Sequence, residues 1–251
     1  MSKRSSGMPK SMEGKVCAAI SKYAMIEDGD RIAIGVSGGK DSVYLLYMLS
    51  KIRKYYRKKF DIHAITLDPV FNNESMDLTD IEAMCRELKV DYTVQRFDLA
   101  KLIFEQRKEK NPCSLCSKMR RGILNNESKR IGCNKIALGH NYDDVIQTFF
   151  MNLFSCGNIG CFSPKSYLSR KDIYMIRPLI FCKDEEIKRA VKKNGLPISK
   201  SKCPIDNSTN RAKTEEVIKN LERLYPDLRA KVMGALQRGH IDGWGIKNQG
   251  A

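Results

Sequence analysis

The segment that most constrains the fold of this chain reads Ser37-Gly38-Gly39-Lys40-Asp41-Ser42. The apolar, β-branched residues 31–36 before it are typical of a buried strand, and the pattern of residues 41–56 after it predicts a long helix. Glycines at such a junction let backbone N–H groups wrap an anion, and the positive helix end and two hydroxyl groups strengthen the attraction. The segment therefore predicts a phosphate-binding loop.

Two positions exclude a Walker A loop of the kinase or GTPase type. That loop needs glycine at position 34 and a serine or threonine directly after Gly39-Lys40, whereas this chain has Ile34 and Asp41 there. The motif instead resembles the PP-loop of the N-type ATP pyrophosphatase superfamily. Members of that superfamily split ATP between the α- and β-phosphates and transfer AMP to a carbonyl oxygen, so the resemblance implies that residues 37–42 bind ATP.

Strand and helix signals alternate along the first two thirds of the chain. Further strands are predicted at residues 62–67, 91–97, 135–139 and 174–178, with helices at 12–24, 77–89, 113–129 and 143–154. After Pro178 only helices are predicted, at 183–193, 213–224 and 226–238. The alternation implies an α/β fold with a parallel sheet and helices on both faces. We expect a short N-terminal helical segment (1–25), a PP-loop ATPase domain (26–182) and a basic C-terminal helical region (183–251).

Other candidates for the nucleotide site follow later strands. Asp68 ends the second strand, where a doubly wound sheet presents loops to a nucleotide, and it is a candidate for a contact with ribose or adenine. An ordinary loop aspartate is an equally good interpretation of Asp68. In the loop after the 135–139 strand, Gly139 is expected to contact the nucleotide, His140 to lie near the site, and Asp143 to contact a metal ion or phosphate.

Charge and composition point to a polyanionic partner. Among 251 residues, Lys and Arg number 45 against 29 Asp and Glu, which gives a net charge of +16 and makes nucleic acid the first partner to consider. The run 51–59 combines cations with two tyrosines, although solvated helix faces explain more than half of such charges taken singly. More cations precede Cys203: Lys188, Arg189, Lys192, Lys193, Lys200 and Lys202.

The same composition bears on location. The mean hydropathy is −0.42 and no apolar run has the length of a membrane span, so we expect no membrane association. The first seven residues are basic and lack the apolar core of a signal peptide, which favours a cytoplasmic location. In that reducing compartment the nine cysteines indicate metal binding or reactivity more than disulfides.

One cysteine pair stands at a predicted helix start. Cys113 and Cys116 follow Asn111-Pro112, and the helix dipole with nearby cations favours their thiolates. A thioredoxin-type redox pair is expected in the first strand-to-helix turn, and here that turn already holds the phosphate loop, so this interpretation is disfavoured. A closed zinc site needs four ligands, and the sequence has no second Cys-x-x-Cys or His-x-x-x-His to complete it. A three-thiolate arrangement fits best, with Cys203 as the third candidate. Cys17, Cys85 and Cys182 are expected to be small buried hydrophobes, whereas Cys133, Cys156 and Cys161 are left undecided.

Several segments together resemble the tRNA 2-thiocytidine synthetases. They are the PP-loop and residues 25–31, 113–117, 120–124, 135–144 and 176–179, within a match from about Lys15 to Cys203. The resemblance implies a PP-loop α/β fold, ATP with Mg²⁺, a [4Fe–4S] cluster held by Cys113, Cys116 and Cys203, and tRNA as the molecule that is thiolated. Sulfide or a cysteine desulfurase system is the expected sulfur donor, and a homodimer is the expected assembly.

Two departures concern the choice of base. The 2-thiocytidine enzymes carry a second cysteine three residues after the equivalent of Cys203, where this chain has Asp206, but three thiolates suffice for the cluster. The stretch around Asn141 also resembles the 2-thiouridine enzymes. Those relatives bear zinc-binding Cys/His pairs near both ends, and this chain has none, so cytidine is favoured and 2-thiouridine is the alternative.

The expected chemistry has two steps. ATP adenylates a nucleobase C2 carbonyl oxygen, and a sulfur nucleophile then displaces AMP at that carbon. Cys113, Cys116, Cys203 and Asp143 are the candidate catalytic residues, and the sulfur is carried either by an open iron of the cluster or by a persulfide on Cys113 or Cys116. The competing classes are a PP-loop synthetase or amidotransferase that acts on a small metabolite, and a non-enzymatic RNA-binding or iron–sulfur sensor protein.

Overall fold

A computed structural model of the chain describes residues 9–70, 74–97, 112–199 and 210–245. Within them, six strands form one sheet in the order β3-β2-β1-β4-β6-β5. The strands are β1 (Asp30–Gly35), β2 (Phe60–Asp68), β3 (Asp91–Arg96), β4 (Lys135–Ala137), β5 (Lys165–Leu168) and β6 (Ile173–Ile176). This arrangement confirms the predicted α/β class.

The sheet differs from the sequence prediction at one edge. Five strands pair in parallel, but β5 pairs antiparallel with β6, from Lys165 opposite Ile176 to Leu168 opposite Ile173. The predicted parallel sheet is thus confirmed for five strands, whereas β5 was not predicted from the sequence. This strand is short, polar and only half-buried, so it lacks the continuous apolar run that marks the buried strands.

The central strand β1 explains the strongest strand signal in the sequence. It lies between β2 and β4, and Ile34 pairs with Ala64 on one side and Ala137 on the other. Ile32 and Ile34 enter a large apolar cluster on one face, while Ala33 enters a smaller cluster on the other. Because both faces of β1 are covered, its sequence is apolar without alternation.

Eight helices surround the sheet in the described residues. They are α1 (Met12–Lys22), α2 (Lys40–Ile52), α3 (Thr79–Glu87), α4 (Pro112–Arg130), α5 (Tyr142–Cys156), α6 (Asp184–Lys193), α7 (Asn210–Leu224) and α8 (Leu228–Arg238). Leu124 of α4 packs in the smaller cluster, whereas apolar residues of the other seven helices pack in the large one. The helices therefore cover both faces, as predicted, and none in the described part of the chain is long and apolar enough to cross a membrane.

The C-terminal helices share the large cluster with the sheet. Ile218 of α7 and Leu236 of α8 are fully buried in it, together with Trp244 after a 3-10 turn at Ile241–Gly243. The indole Nε1 of Trp244 donates to the carbonyl of Phe162 at 2.9 Å. The division of the chain at residues 25 and 182 stays a prediction.

The order of the strands determines where a ligand fits. The chain adds β2 and β3 on one side of β1 and then crosses to β4 on the other side. Loops that leave the carboxyl ends of β1 and β4 therefore diverge and open a crevice, which is where open α/β sheets bind ligands. The predicted phosphate loop leaves β1 at this edge.

Candidate functional site

The loop from β1 to α2 has a backbone shape that requires glycine. Gly38 has a φ angle of +83°, in the left-handed region that side chains disfavour. A Cβ atom on Gly38 would also lie 3.0 Å from the Cβ and 3.1 Å from the carbonyl oxygen of Ser199. The amide of Ser199 donates to the carbonyl of Gly38 at 3.1 Å, so the chain that follows α6 packs on the loop at this residue.

The two serines of the loop hold its shape. Ser42 Oγ donates to the carbonyl of Gly39 at 2.8 Å and accepts from the amide of Ser37 at 3.0 Å. Gly39, at the N-cap position of α2, supplies no side chain to cap the helix, so the N–H groups of its first turn face outward without an intrahelical acceptor. This helix start can therefore bind an anion such as a phosphate.

Lys40 is held at the loop by two carboxylates. Its Nζ lies 2.8 Å from Asp41 Oδ2 and 2.6 Å from Asp184 Oδ1, at the start of α6. Burial by itself would lower the pKa of Lys40, but the hydrogen bonds to Asp184 and Asp41 outweigh it and raise that pKa. Lys40 is therefore a fixed positive charge beside the anion-binding helix start.

The loop after β4 closes one side of the phosphate loop. A Cβ atom on Gly139 would lie 3.0 Å from the carbonyl carbon of Asp41 and 3.0 Å from the amide nitrogen of Ser42. Asn141 Nδ2 donates to Asp41 Oδ1 at 3.0 Å, and Asn141 with Asp144 forms the capping box of α5. Asn141 was not predicted as a site residue, although its spacing to Asp144 is a capping signal in the sequence.

Asp143 faces the C-terminal helices. Its Oδ2 accepts from the amide of Asp184 at 2.6 Å, and its Oδ1 accepts from Arg229 of α8 at 2.9 Å. Burial raises the pKa of Asp143, while the Asp184 amide and Arg229 act in the opposite direction. Asp143 is thus linked to Lys40 through Asp184, and its contact with a metal ion or phosphate stays a prediction.

Asp68 ends β2 at the same edge of the sheet and is 1% exposed. Its Oδ2 accepts from the amide of Met76 at 3.2 Å and lies 3.7 Å from Arg96 Nε. Its Oδ1 is buried and has no hydrogen-bond partner among the residues that the structure describes. A carboxylate oxygen in this state suits a hydroxyl donor such as a ribose, and its contact with the nucleotide stays a prediction.

A mostly apolar cavity of about 140 Å³ opens beside the phosphate loop. It is lined by Gly35, Val36, Ser37, Ile65, Leu67, Arg120, Leu124 and Leu138. These residues come from the carboxyl ends of β1 and β2, from the loop after β4 and from α4. An apolar cavity with a few polar groups at its rim is suited to the planar base of a nucleotide.

The predicted cluster ligands are only partly described. Cys113 and Cys116 both belong to α4, and a spacing of three residues puts them on the same face of the helix. Cys116 is half-buried. The side chain of Cys113, and Cys203 with all of residues 200–209, lie outside the described residues, within which no three metal-ligating side chains come together. The assignment of the cluster to these three cysteines stays a prediction.

The other cysteines divide by burial. Cys85 and Cys182 are buried, as predicted, and Cys17 is half-buried against the large apolar cluster. Of the three undecided cysteines, Cys133 and Cys161 are buried and Cys156 is exposed. Burial raises the pKa of Cys85 to about 11 and that of Cys182 to about 12, so these thiols stay protonated.

His140 follows β4 and packs against Phe162 and Arg177. Its ring packs on Phe162 with 4.8 Å between ring centroids, and Arg177 Nε donates to its Nδ1 at 3.3 Å. Burial, and then the positive charges of Arg177, Arg211 and Arg121, lower the pKa of His140 to about 3. His140 is therefore a neutral group of the site at physiological pH.

Comparison with known proteins gives the family. Residues 10–220 match the family of PP-loop domains. A tRNA-cytidine(32) 2-sulfurtransferase of Syntrophotalea carbinolica is 34% identical over 230 residues, which are 90% of this chain and 87% of that protein. The chain belongs to the tRNA-cytidine 2-sulfurtransferase family of PP-loop proteins. A second member, from Geotalea uraniireducens, is 34% identical over 228 residues, with 90% of each chain covered.

A solved structure supports the same placement of this sulfurtransferase. The U34-tRNA thiolase NcsA from Methanococcus maripaludis, solved with its [4Fe–4S] cluster, superposes with a TM-score of 0.72. The identity is 26%, and the match covers 91% of this chain and 79% of that one. The family and the PP-loop fold that the sequence motifs indicated are thus confirmed.

Proposed function

We propose that this protein replaces the C2 oxygen of a cytidine in tRNA by sulfur, with ATP as the activating substrate. The observation that carries the proposal is the position of α4. The helix that bears Cys113 and Cys116 also supplies Arg120 and Leu124 to the wall of the cavity beside the PP-loop. One helix therefore joins a thiol pair to the place where a nucleotide fits.

The activation step uses the PP-loop. The cytidine O2 attacks the α-phosphorus of ATP, so that the α–β bridge breaks and pyrophosphate leaves. The amide groups at the start of α2 and the charge of Lys40 are placed to hold the departing phosphates. Mg²⁺ would neutralise part of the same charge. The candidate acidic contacts are Asp41, whose Oδ2 accepts from Lys40, and Asp143, whose Oδ2 accepts from the amide of Asp184.

The second step exchanges oxygen for sulfur. Sulfide-level sulfur adds to C2 and AMP leaves with the original O2, so that a C–S bond replaces the C–O bond with no change in oxidation state. A [4Fe–4S] cluster, when bound, would supply the sulfur through an iron that the protein does not ligate. Cys113, Cys116 and Cys203 would hold it, and their thiolates at the start of α4 are favoured by the helix dipole. A persulfide on Cys113 or Cys116 is the alternative carrier. Its outer sulfur would displace AMP, and the other thiol of the pair would then attack the inner sulfur, which releases the thiolated base and leaves a Cys113–Cys116 disulfide for a thiol reductant to reopen.

The substrate follows from the family and the charge. The relatives are tRNA-cytidine(32) 2-sulfurtransferases, and cytidine 32 is the target that we propose for this chain. A net charge of +16 suits a tRNA, whose phosphates would be met by exposed cations. The sulfur donor, sulfide or a cysteine desulfurase system, and a homodimeric assembly belong to the proposal as well.

The test is a reaction under anaerobic conditions with ATP, Mg²⁺ and unmodified tRNA. We expect AMP and pyrophosphate as nucleotide products and 2-thiocytidine in the tRNA digest. Cys116→Ser should abolish thiolation, whereas Cys156→Ser, at an exposed cysteine of α5, should retain it. ADP as the main product would contradict the PP-loop chemistry, and 2-thiouridine in the digest would contradict the choice of base.

A further inference from the structure

Arg177 is a buried cation that no carboxylate in the described residues pairs with. It is 7% exposed, and its Nη1 donates to the carbonyl of Ser163 at 2.5 Å. Its guanidinium carbon lies 4.9 Å from the centroid of the Phe162 ring. Burying a charge is costly, so a side chain fixed in this way by a carbonyl and a ring is expected to have a specific task.

Arg177 determines which nitrogen of His140 carries the proton. Arg177 Nε donates to His140 Nδ1 at 3.3 Å, and a guanidinium can only donate. Nδ1 must therefore present its lone pair, and in a neutral imidazole the proton then sits on Nε2. The low pKa of His140 keeps the ring neutral at physiological pH.

In this tautomer the Nε2–H group is the hydrogen-bond donor that the His140 ring offers. No residue in the described ranges forms a hydrogen bond with it, although His140 stands between two residues that touch the PP-loop. Gly139 packs on the backbone of Asp41, and Asn141 Nδ2 donates to the side chain of Asp41. The backbone of His140 therefore borders the PP-loop, where the ATP phosphates must meet the target base.

Cytosine and uracil differ at the atom next to the reacting carbon. Both have a C2 carbonyl, but the neighbouring N3 is a hydrogen-bond acceptor in cytosine and carries a proton in uracil. A fixed donor pairs with N3 of cytosine and meets a second donor in uracil. A donor that the bound base covers stays unpaired against uracil, and this cost favours cytosine by about 10- to 100-fold.

We propose that His140 selects cytidine by donating its Nε2–H to N3 of the target base, and that Arg177 is the positioning residue that fixes the required tautomer. The inference rests on the proposed function, because it assumes a pyrimidine whose C2 oxygen is activated at the PP-loop. It adds to that function a physical reason for the choice of base. Phe162 supports both side chains from one face.

The first experiment measures base preference directly. The kcat/KM for pyrophosphate release is compared for two tRNAs that differ only in C or U at position 32. We expect His140→Gln to lower the C/U ratio by about 10-fold or more, because a glutamine amide can turn to present either a donor or an acceptor. His63→Gln is the matched control, since His63 lies in β2 and bonds Thr93 at 2.8 Å. An unchanged ratio in a folded His140→Gln variant would overturn the inference.

The second experiment measures the tautomer of His140 directly and does not require an active variant. The protein contains three histidines, so ¹⁵N-labelled imidazoles can be resolved and assigned by NMR in the wild-type protein without tRNA. We expect the His140 proton on Nε2 in the wild-type protein, and we expect Arg177→Met to give a mixture of the two tautomers. A proton on Nδ1 of the wild-type ring would refute the role of Arg177 and the selection by His140.

The two proposals fail in different ways. A wild-type protein that forms 2-thiocytidine while His140→Gln keeps its C/U ratio would remove only the role of His140. A wild-type protein that releases no pyrophosphate with either tRNA, or that thiolates only uridine, would overturn the proposed function and with it the selection of cytidine.

Discussion

Lys40 of the PP-loop and Asp184 of α6 form an ion pair with 2.6 Å between Nζ and Oδ1. Burial would raise the pKa of Asp184, but the hydrogen bonds and charges of Lys40 and Lys188 outweigh it and hold that pKa below its usual value. The ion pair therefore connects α6 to the PP-loop. Because the pKa of Asp184 is lowered in the folded protein, the contribution of the ion pair to the free energy of unfolding should depend on pH.

We predict that Asp184→Asn makes the protein less stable at neutral pH and reduces its sensitivity to acid. A carboxyl group with a lowered folded-state pKa stabilises the fold above its unfolded pKa, and that contribution is lost as the pH falls, between about pH 5 and pH 2. Denaturant midpoints of the variant and the wild type should therefore converge on acidification. Glu185→Gln, at an exposed neighbour, is the control. The same difference at pH 7 and at the acidic end would contradict the prediction.

A methyl group at position 139 should impair the PP-loop. Gly139→Ala would put Cβ 3.0 Å from backbone atoms of Asp41 and Ser42, so the loop must shift. A displacement near 1 Å costs roughly 100-fold in rate when reacting groups must be aligned, and we expect pyrophosphate release to fall by about 10- to 100-fold. Gly122→Ala on α4 is the control because no atom of the described residues lies within 4 Å of its added Cβ, apart from its own neighbours in the helix. A wild-type rate for Gly139→Ala would disprove this close approach.

We predict that Arg229 contributes more to the free energy of unfolding than an exposed arginine does. It contacts Asp143 at 2.9 Å, Glu215 at 2.7 Å and Glu222 at 2.9 Å, and its side chain is 15% exposed. Arg229→Met leaves three half-buried carboxylates without their cation, and we expect a loss of about 1–3 kcal/mol in the free energy of unfolding. Urea titration measures it.

The loss should shrink at low pH, where protonation removes the charges that Arg229 neutralised. Arg223→Met, at an exposed position of α7, should cost much less. An equal loss of unfolding free energy in both variants would show that the contacts of Arg229 with the three carboxylates do not stabilise the fold.

Binding of tRNA should depend on cations at the carboxyl edge of the sheet. The basic run 51–59 begins where α2 ends, so it lies at the amino edge, away from the PP-loop. Arg121 and Arg211 lie close enough to His140 to affect its pKa. Charge reversal at these two arginines should therefore weaken binding more than charge reversal at Lys54 and Arg57.

The measurement is the Kd for tRNA at several salt concentrations. The slope of log K against log salt should fall by roughly 0.7–0.9 for each phosphate contact that is lost. A flat salt response in the wild-type protein would show that its net charge serves another purpose. A larger loss of affinity on charge reversal at Lys54 and Arg57 than at Arg121 and Arg211 would place the tRNA on the amino edge of the sheet.

Local patterns were sufficient for most of the fold. The apolar residues of β1, the glycines after it and the start of α2 each carry their own signal, because strand, turn and helix preferences depend on neighbours in sequence. The Cys113–Cys116 spacing on α4 could be recognised in the same way. The sequence by itself therefore determined the α/β class, the position of the PP-loop and the presence of a thiol pair at a helix start.

Only the tertiary structure decided which side chains meet. Arg229 reaches Asp143 across 86 residues, Arg177 reaches His140 across 37, and the polar strand β5 exists because it pairs with β6. No periodicity marks such contacts, since they depend on how helices and loops pack once the sheet has formed. The ion pair of Lys40, the tautomer of His140 and the close approach of Gly139 are consequences of that packing, because each needs two segments that the folded sheet brings to the same edge.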